Sequence, residues 1–192
     1  MYTIRTTIFC IAMALIGWAA GGSEVRAQVP SEYTIHPGDK LMVGVYDDPK
    51  LLPQELSVAP DGKISYPMAG VITAGGKTVE QVRTELEAKF KKYVTDPLAI
   101  VILTEVKGNV VYVIGQVVKP GSIVMNPAIN VMQALSIAGG GNPFAKLDSI
   151  IVIRSSANGT QRVIPFHFGQ VSSGRDLQQN IMLESGDVVV VP

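Results

Sequence analysis

The segment Tyr33-Thr34-Ile35-His36-Pro37-Gly38-Asp39-Lys40-Leu41-Met42-Val43-Gly44-Val45 sets a tight turn against an alternating strand. Pro37 presets the turn backbone, Gly38 admits positive φ, and Asp39 can hydrogen-bond its own main chain. Leu41, Val43 and Val45 then alternate, which predicts a strand with one buried face. The same chemistry recurs near the end of the chain, where Ser185-Gly186-Asp187 precedes Val188-Val189-Val190-Val191. Convergent turn chemistry explains the pair more simply than a shared ancestral unit, since no strict repeat accompanies it. A third turn, Pro60-Asp61-Gly62, lies between Val58 and Ile64. Asp-Gly between β-prone segments predicts a hairpin, because both central positions tolerate the left-handed conformation.

Helices enter between these strands. Thr78-Val79-Glu80-Gln81 has the spacing of a capping box, and Val79, Val82, Leu86, Phe90 and Tyr93 follow as one apolar face. Glu85 and Lys89 add an i,i+4 pair on the outer side. Asp96-Pro97 stops this helix, and the apolar run Leu98 to Leu103 predicts a central strand. Asn130, with Gln133 at the third position, caps a second helix of about two turns. It buries Val131, Ala134, Leu135 and Ala138 and terminates at Gly139.

Lys107-Gly108-Asn109 is the only plausible domain seam. Beyond it, Val110-Val111-Tyr112-Val113-Ile114-Gly115 is so continuously apolar that burial on both faces is expected. Lys119-Pro120-Gly121 turns the chain into Ser122 to Met125. Strands at Ile150 to Arg154 and Gln161 to Pro165 flank a turn at Asn158-Gly159, and a polar loop around Gly174 leads to the final strand, Val188 to Val191. Both halves mix strands with one helix. The expected fold class is therefore α+β, as two small mixed domains spanning residues 28–106 and 107–192.

Composition agrees. Of 192 residues, 47% are hydrophobic and 17% charged, as in a globular rather than a disordered chain, and 19 Gly with 12 Pro fit short strands and frequent turns. Arg5 precedes the apolar run Ile8 to Ala20, and Val25-Arg26-Ala27 follows, so residues 1–27 are expected to be a secretory signal peptide cleaved between Ala27 and Gln28. A retained membrane anchor is the alternative, but as a helix this run rises only about 20 Å against a hydrocarbon core of roughly 30 Å. Residues 1–27 hold two of the 16 basic residues, Arg5 and Arg26, and one of the 16 acidic ones, Glu24, so cleavage leaves a formal charge of −1. That balance gives no support to nucleic-acid binding. Cys10, the single cysteine, lies within the signal, and Thr7-Ile8-Phe9 before it lacks the small residues of a lipoprotein site. The exported protein is expected to be periplasmic, free of disulfides and not lipid-anchored.

Catalytic inventory is thin. Without a cysteine in the exported chain, thiol catalysis is excluded. His36 and His167 do not share a metal-ligand spacing, and each reads as a structural or surface histidine. Asp47-Asp48 are adjacent, so in extended structure their carboxylates point to opposite faces and cannot flank one glycosidic bond. Gly139-Gly140-Gly141 follows a helix instead of preceding one, the wrong end for a phosphate cradle. Lys89, Lys91 and Lys92 form a small basic cluster better read as charges favoured by a helix C-terminus, and Asn158-Gly159-Thr160 is only a short glycosylation pattern. No metal or cofactor site is expected.

Taken in order, these stretches resemble the outer-membrane polysaccharide export (auxiliary) family, whose members pair a polysaccharide export domain with a soluble-ligand-binding β-grasp (SLBB) domain. In the first half the resemblance rests on Pro37, Gly38 and Asp39, on Val58-Ala59-Pro60-Asp61-Gly62-Lys63-Ile64-Ser65-Tyr66-Pro67 running to Gly70, and on Gly76-Lys77-Thr78 and Asp96-Pro97. In the second it rests on Val113-Ile114-Gly115-Gln116-Val117, Lys119-Pro120-Gly121, Ala134 to Gly139-Gly140, and Leu183-Glu184-Ser185-Gly186-Asp187. These Gly, Pro and Asp positions are structural marks of the family motifs, and no glycan-contacting side chain follows from them.

The resemblance implies transport without catalysis: a periplasmic homo-oligomeric ring that passes capsular polysaccharide or exopolysaccharide outward, working with an inner-membrane polysaccharide copolymerase. Many members carry an acylated N-terminal cysteine and a C-terminal amphipathic pore helix. This chain ends at Pro192 after its last strand, so the expectation is a short form that forms or collars the periplasmic conduit beside a separate outer-membrane channel. A periplasmic glycan-binding sensor or scaffold is the alternative, and a secreted glycan hydrolase is a third that would need two carboxylates brought together by the fold.

Overall fold

In the computed structural model the described residues are 32–46, 48–156 and 158–192. The expected signal peptide and its cleavage site at Ala27-Gln28 fall outside them, as does Asp47. In chain order the first half comprises β1 (Lys40–Val45), β2 (Gln54–Ser57), β3 (Lys63–Tyr66), β4 (Gly70–Thr73), α1 (Val79–Phe90) and β5 (Ala99–Glu105). The second comprises β6 (Val110–Gly115), β7 (Gly121–Val124), α2 (Val131–Ile137), β8 (Ile150–Ser155), β9 (Gln161–Phe166), α3 (Phe168–Ser172) and β10 (Val188–Val191). The α+β class expected from the sequence is what forms.

In the first half β1 is the centre of a three-stranded antiparallel sheet, ordered β2-β1-β5. Leu41, Val43 and Val45 are buried as the alternation predicts, and they share a core with Ile64, Tyr66 and Ile72 and with Val82, Leu86 and Phe90 of α1. Tyr66 meets Phe90 edge to face at 5.7 Å between ring centroids. Thr78 and Gln81 complete the capping box: Gln81 N–H donates to Thr78 Oγ1 at 3.2 Å, and Thr78 N–H donates to Gln81 Oε1 at 3.0 Å.

The second half is one five-stranded mixed sheet, ordered β7-β6-β10-β8-β9, in which β6 and β10 run parallel and every other pair is antiparallel. Its core gathers Val111, Val113, Val152, Val189 and Val191 with Val131, Ala134, Leu135 and Ala138 of the α2 segment. This is the β-grasp-like arrangement expected. Asn130 and Gln133 close the second capping box, and Gly139 follows the helix with φ +80°.

Several local expectations change. Leu98 to Leu103 belongs to an edge strand, because β1 already pairs with β2 on its other side and α1 packs on one face of β5; an apolar run reports burial, not position in a sheet. Pro60-Asp61-Gly62 is a tight turn, closed by Gly62 N–H to Ala59 C=O at 2.8 Å, but the strands flanking it do not pair: β2 joins β1, and β3 makes its hairpin with β4. One bond crosses the turn, Ala59 N–H to Lys63 C=O at 2.8 Å, but Val58 N–H is taken by Asp39 C=O and Pro60 has no N–H to give, so no ladder follows. Glu85 pairs with Lys77 and not with Lys89, whose ammonium donates to Ala69 C=O at 3.3 Å and Val71 C=O at 2.9 Å. Tyr93 is exposed because α1 ends at Phe90. The loop before Gly174 contains α3, a single short turn of helix. Val110–Gly115 is buried on one face only, with Tyr112 46% and Ile114 45% exposed.

Gly62 is a position where the backbone demands glycine. Its φ is +76°, a Cβ there would meet Gly75 Cα at 3.3 Å, and its carbonyl accepts from Ala74 and Gly75 N–H. Gly62→Val is expected to cost about 1 kcal/mol or more, read as a fall of a few degrees in Tm. Unchanged melting would show that this turn tolerates a branched side chain.

Candidate functional site

The two Gly-Asp turns converge on the seam. Asp39 is fully buried, and its carboxylate accepts four hydrogen bonds. Oδ2 takes Tyr33 O–H at 2.6 Å and His36 N–H at 2.8 Å; Oδ1 takes Lys107 N–H at 2.9 Å and Gly108 N–H at 2.7 Å. Burial first, and then the Asp39 carboxylate, push the Tyr33 phenol well above its ordinary range. Gly108 must be glycine for a packing reason: a Cβ would lie 2.1 Å from Pro37 O.

Asp187 is equally buried and builds the same turn. In both, the Asp N–H donates to the carbonyl three residues back, at 3.1 Å to His36 and 3.0 Å to Glu184. In both, that third residue returns its N–H to the carboxylate at 2.8 Å. Gly38 and Gly186 hold φ of +95° and +89°. Each glycine donates to the neighbouring strand segment, Gly38 to Val58 C=O and Gly186 to Val110 C=O, and each Asp carbonyl accepts from it, Asp39 from Val58 and Asp187 from Tyr112. What differs is the neutralising partner. Arg154 Nε and Nη2 bind the Asp187 carboxylate at 2.9 and 2.6 Å, Nη2 also reaches Met182 C=O, and Nη1 pairs with Glu184. Hydrogen bonding to Asp187 raises the Arg154 pKa against the opposing effect of burial.

Ser185, in the second turn, donates its hydroxyl to Gly108 C=O at 3.0 Å. Gly108 is thus held by both turns, its N–H by Asp39 and its carbonyl by Ser185. The remaining motif positions form smaller groups. Asp61 accepts from Lys63 N–H and pairs with its ammonium at 2.9 Å, which lowers the Asp61 pKa; this turn stands apart from the seam. Pro67 and Gly70 make the β3–β4 turn, with Pro67 C=O accepting from Ala69 N–H at 2.7 Å. Gly115 ends β6 beside Val191, and Pro120-Gly121 opens β7. Gly140 C=O accepts from Val118 N–H, which brings Gly139-Gly140 up to the Lys119-Pro120-Gly121 turn.

The two histidines and Asp48 are engaged in local contacts. His36 Nδ1 sits 3.3 Å from Tyr33 Oη, His167 Nδ1 2.9 Å from Gln179 Oε1, and Asp48 Oδ1 accepts from Lys50 N–H to close a turn. Among the described residues no cluster of His, Cys, Asp and Glu could hold a metal ion, and no helix is long and apolar enough to cross a membrane. A shallow open hollow lies among Tyr46, Asp48, Leu52, Pro53 and Ile100. Sequence reasoning passed over Tyr33, whose partner lies across a turn, and Ser185 and Arg154, whose partners lie 77 and 33 residues away. Gly108 stood out only as a seam.

Removing the Asp39 carboxylate leaves two main-chain donors at the seam unpaired. Asp39→Ala is expected to lose about 3 kcal/mol or more, and Tyr33→Phe only about 1 kcal/mol because three donors remain. Urea unfolding of the purified variants measures both. An Asp39→Ala midpoint equal to wild type would mean that the clamp adds no stability.

Comparison with known proteins gives two family matches in chain order: the Polysaccharide biosynthesis/export protein model over residues 27–104 and the SLBB domain model over residues 109–191. The chain is 31% identical over 182 residues to the EPS I polysaccharide export outer membrane protein EpsA of Ralstonia nicotianae, covering 83% of this chain and 47% of the relative. It is 29% identical to EpsA of Ralstonia solanacearum, over 86% of this chain and 52% of that protein. With the exopolysaccharide production protein ExoF of Rhizobium meliloti the figures are 31% identity, 64% and 31%. The chain spans about half the length of the two EpsA proteins. With both domains present in that order, this chain belongs to the polysaccharide export protein family.

Proposed function

We propose that this protein is a non-enzymatic periplasmic component of an exopolysaccharide or capsular polysaccharide export machinery, forming or collaring the conduit that carries polymer out of the cell. The observation that carries this reading is the succession of a polysaccharide export domain and an SLBB domain, in a chain similar over most of its length to proteins whose names specify polysaccharide export. The site geometry is in keeping with it. The two buried carboxylates are spent on main-chain N–H groups and on Arg154, and the motif glycines serve turns and close approaches, so the motifs build a scaffold and not a reaction centre.

The proposal includes the division of the exported chain into domains 28–106 and 107–192, a homo-oligomeric ring, and work alongside an inner-membrane polysaccharide copolymerase and a separate outer-membrane channel. Deleting the gene, restoring it in trans, and assaying the same sugar outside the cell and in the periplasm tests the reading. External polymer is expected to fall on deletion and return on complementation. Unchanged external polymer would overturn it.

A further inference from the structure

At one end of the five-stranded sheet two connections are tied together. Val118 N–H donates to Gly140 C=O at 3.1 Å and Lys119 N–H to Ala138 C=O at 2.8 Å, which joins the β6–β7 connection to the end of α2. Asn142 N–H donates to Gln116 C=O at 3.0 Å, and its side-chain amide to Gln116 Oε1 at 2.7 Å, which joins the loop after α2 to the same connection. Gln116 N–H reaches Val191 C=O and Lys146 N–H reaches Pro192 C=O, so both connections stand at the end of β10.

The large side chains that this end leaves in water are apolar: Phe144 is 80% exposed, Val118 57% and Ile137 53%. Val118 lies against Gly139, where a Cβ would come within 3.0 Å of it, and Ile137 is two residues before that glycine. Phe144 is held out by its backbone. It is the third residue of a β-turn closed by Ala145 N–H to Asn142 C=O at 3.0 Å, Pro143 presets that turn, and Asn142 Oδ1 accepts from Phe144 N–H at 2.9 Å. A group presented on so fixed a turn pays little ordering cost on contact, and clustered exposed apolar side chains mark an interaction site.

The charge around them has one sign. Residues 106–147 include Lys107, Lys119 and Lys146 and no acidic residue. Lys119 follows Val118, and Lys146 comes two residues after Phe144; both are exposed, and among the described residues neither enters an ion pair. Asp148, the next acid along the chain, turns to α3, where it accepts from Gly169 N–H at 2.7 Å.

We propose that this end docks on an anionic phospholipid surface, with Phe144, Val118 and Ile137 entering the headgroup boundary and Lys119 and Lys146 meeting lipid phosphates. A bilayer interface takes both kinds of group, since the apolar side chains leave water while each lysine keeps its ammonium at the level of the phosphates. An acidic glycan would use the lysines and leave the apolar side chains in water. The docking is peripheral, as no described helix is long and apolar enough to cross a membrane. Its biological use rests on the export reading, which sets the protein between two membranes.

The single tryptophan, Trp18, lies within residues 1–27, so Phe144→Trp gives the exported protein one tryptophan, at the docking end. With vesicles of phosphatidylglycerol and phosphatidylethanolamine its emission is expected to shift to the blue and to be quenched by brominated acyl chains. Vesicles of phosphatidylcholine alone are expected to give a weak response. Wild type is expected to co-sediment with the anionic vesicles, about tenfold less tightly after Phe144→Ser and after Lys119→Glu with Lys146→Glu, with circular dichroism to check folding. Should a variant misfold, weakening of wild-type binding by added salt reads the same charges. A wild type that stays in the supernatant, a tryptophan that remains in water, an equal response to phosphatidylcholine, or binding indifferent to the variants each overturns the inference. Failure of the export reading appears separately, as polymer secretion unaffected by deletion of the gene while vesicle binding persists.

Discussion

A buried carboxylate without a cation among its partners is costly unless donors saturate it. Asp39 meets that condition with four hydrogen bonds, and the donors come from places the chain must in any case bring together: Tyr33, the turn at His36, and the main chain of Lys107 and Gly108. The carboxylate therefore does more than end a turn. It fixes where the chain leaves the first core and enters the second, because the two N–H groups on Oδ1 belong to the seam. Asp187 faces the same desolvation problem and solves it with a bidentate arginine as well as main-chain N–H.

Much of this was legible because short-range chemistry determines it. The capping boxes at Thr78 and Asn130, the alternation of Leu41, Val43 and Val45, and the glycine turns depend on residues within a few positions of one another. The errors fell where the decision was made across the fold. Leu98 to Leu103 looks central, yet its place at the edge is set by β2 having taken the other side of β1. Glu85 and Lys89 have ideal helical spacing, but Lys77 and the carbonyls of Ala69 and Val71 compete for them. The kinship of the two Gly-Asp turns was visible as a dipeptide; that both grip Gly108 was not, since no local pattern tells which backbone the Asp39 carboxylate or the Ser185 hydroxyl will find.

The distribution of polar side chains bears on function. The chain places its buried charges where they organise main chain, and it leaves Tyr112, Ile114 and Val163 exposed on the outer face of the five-stranded sheet. The two buried carboxylates, Asp39 and Asp187, both lie at Gly-Asp turns and accept main-chain N–H groups there.

Gly108 has a mechanical consequence. Glycine is the residue with the freest backbone, and between two cores it is where a hinge would be sought. Yet its N–H is held by Asp39 and its carbonyl by Ser185, so swivelling about either of its torsions breaks a hydrogen bond to one turn or the other. The direction of the chain between the cores is thus held from both sides. A residue that by itself would loosen the connection is thereby made its most tightly held point.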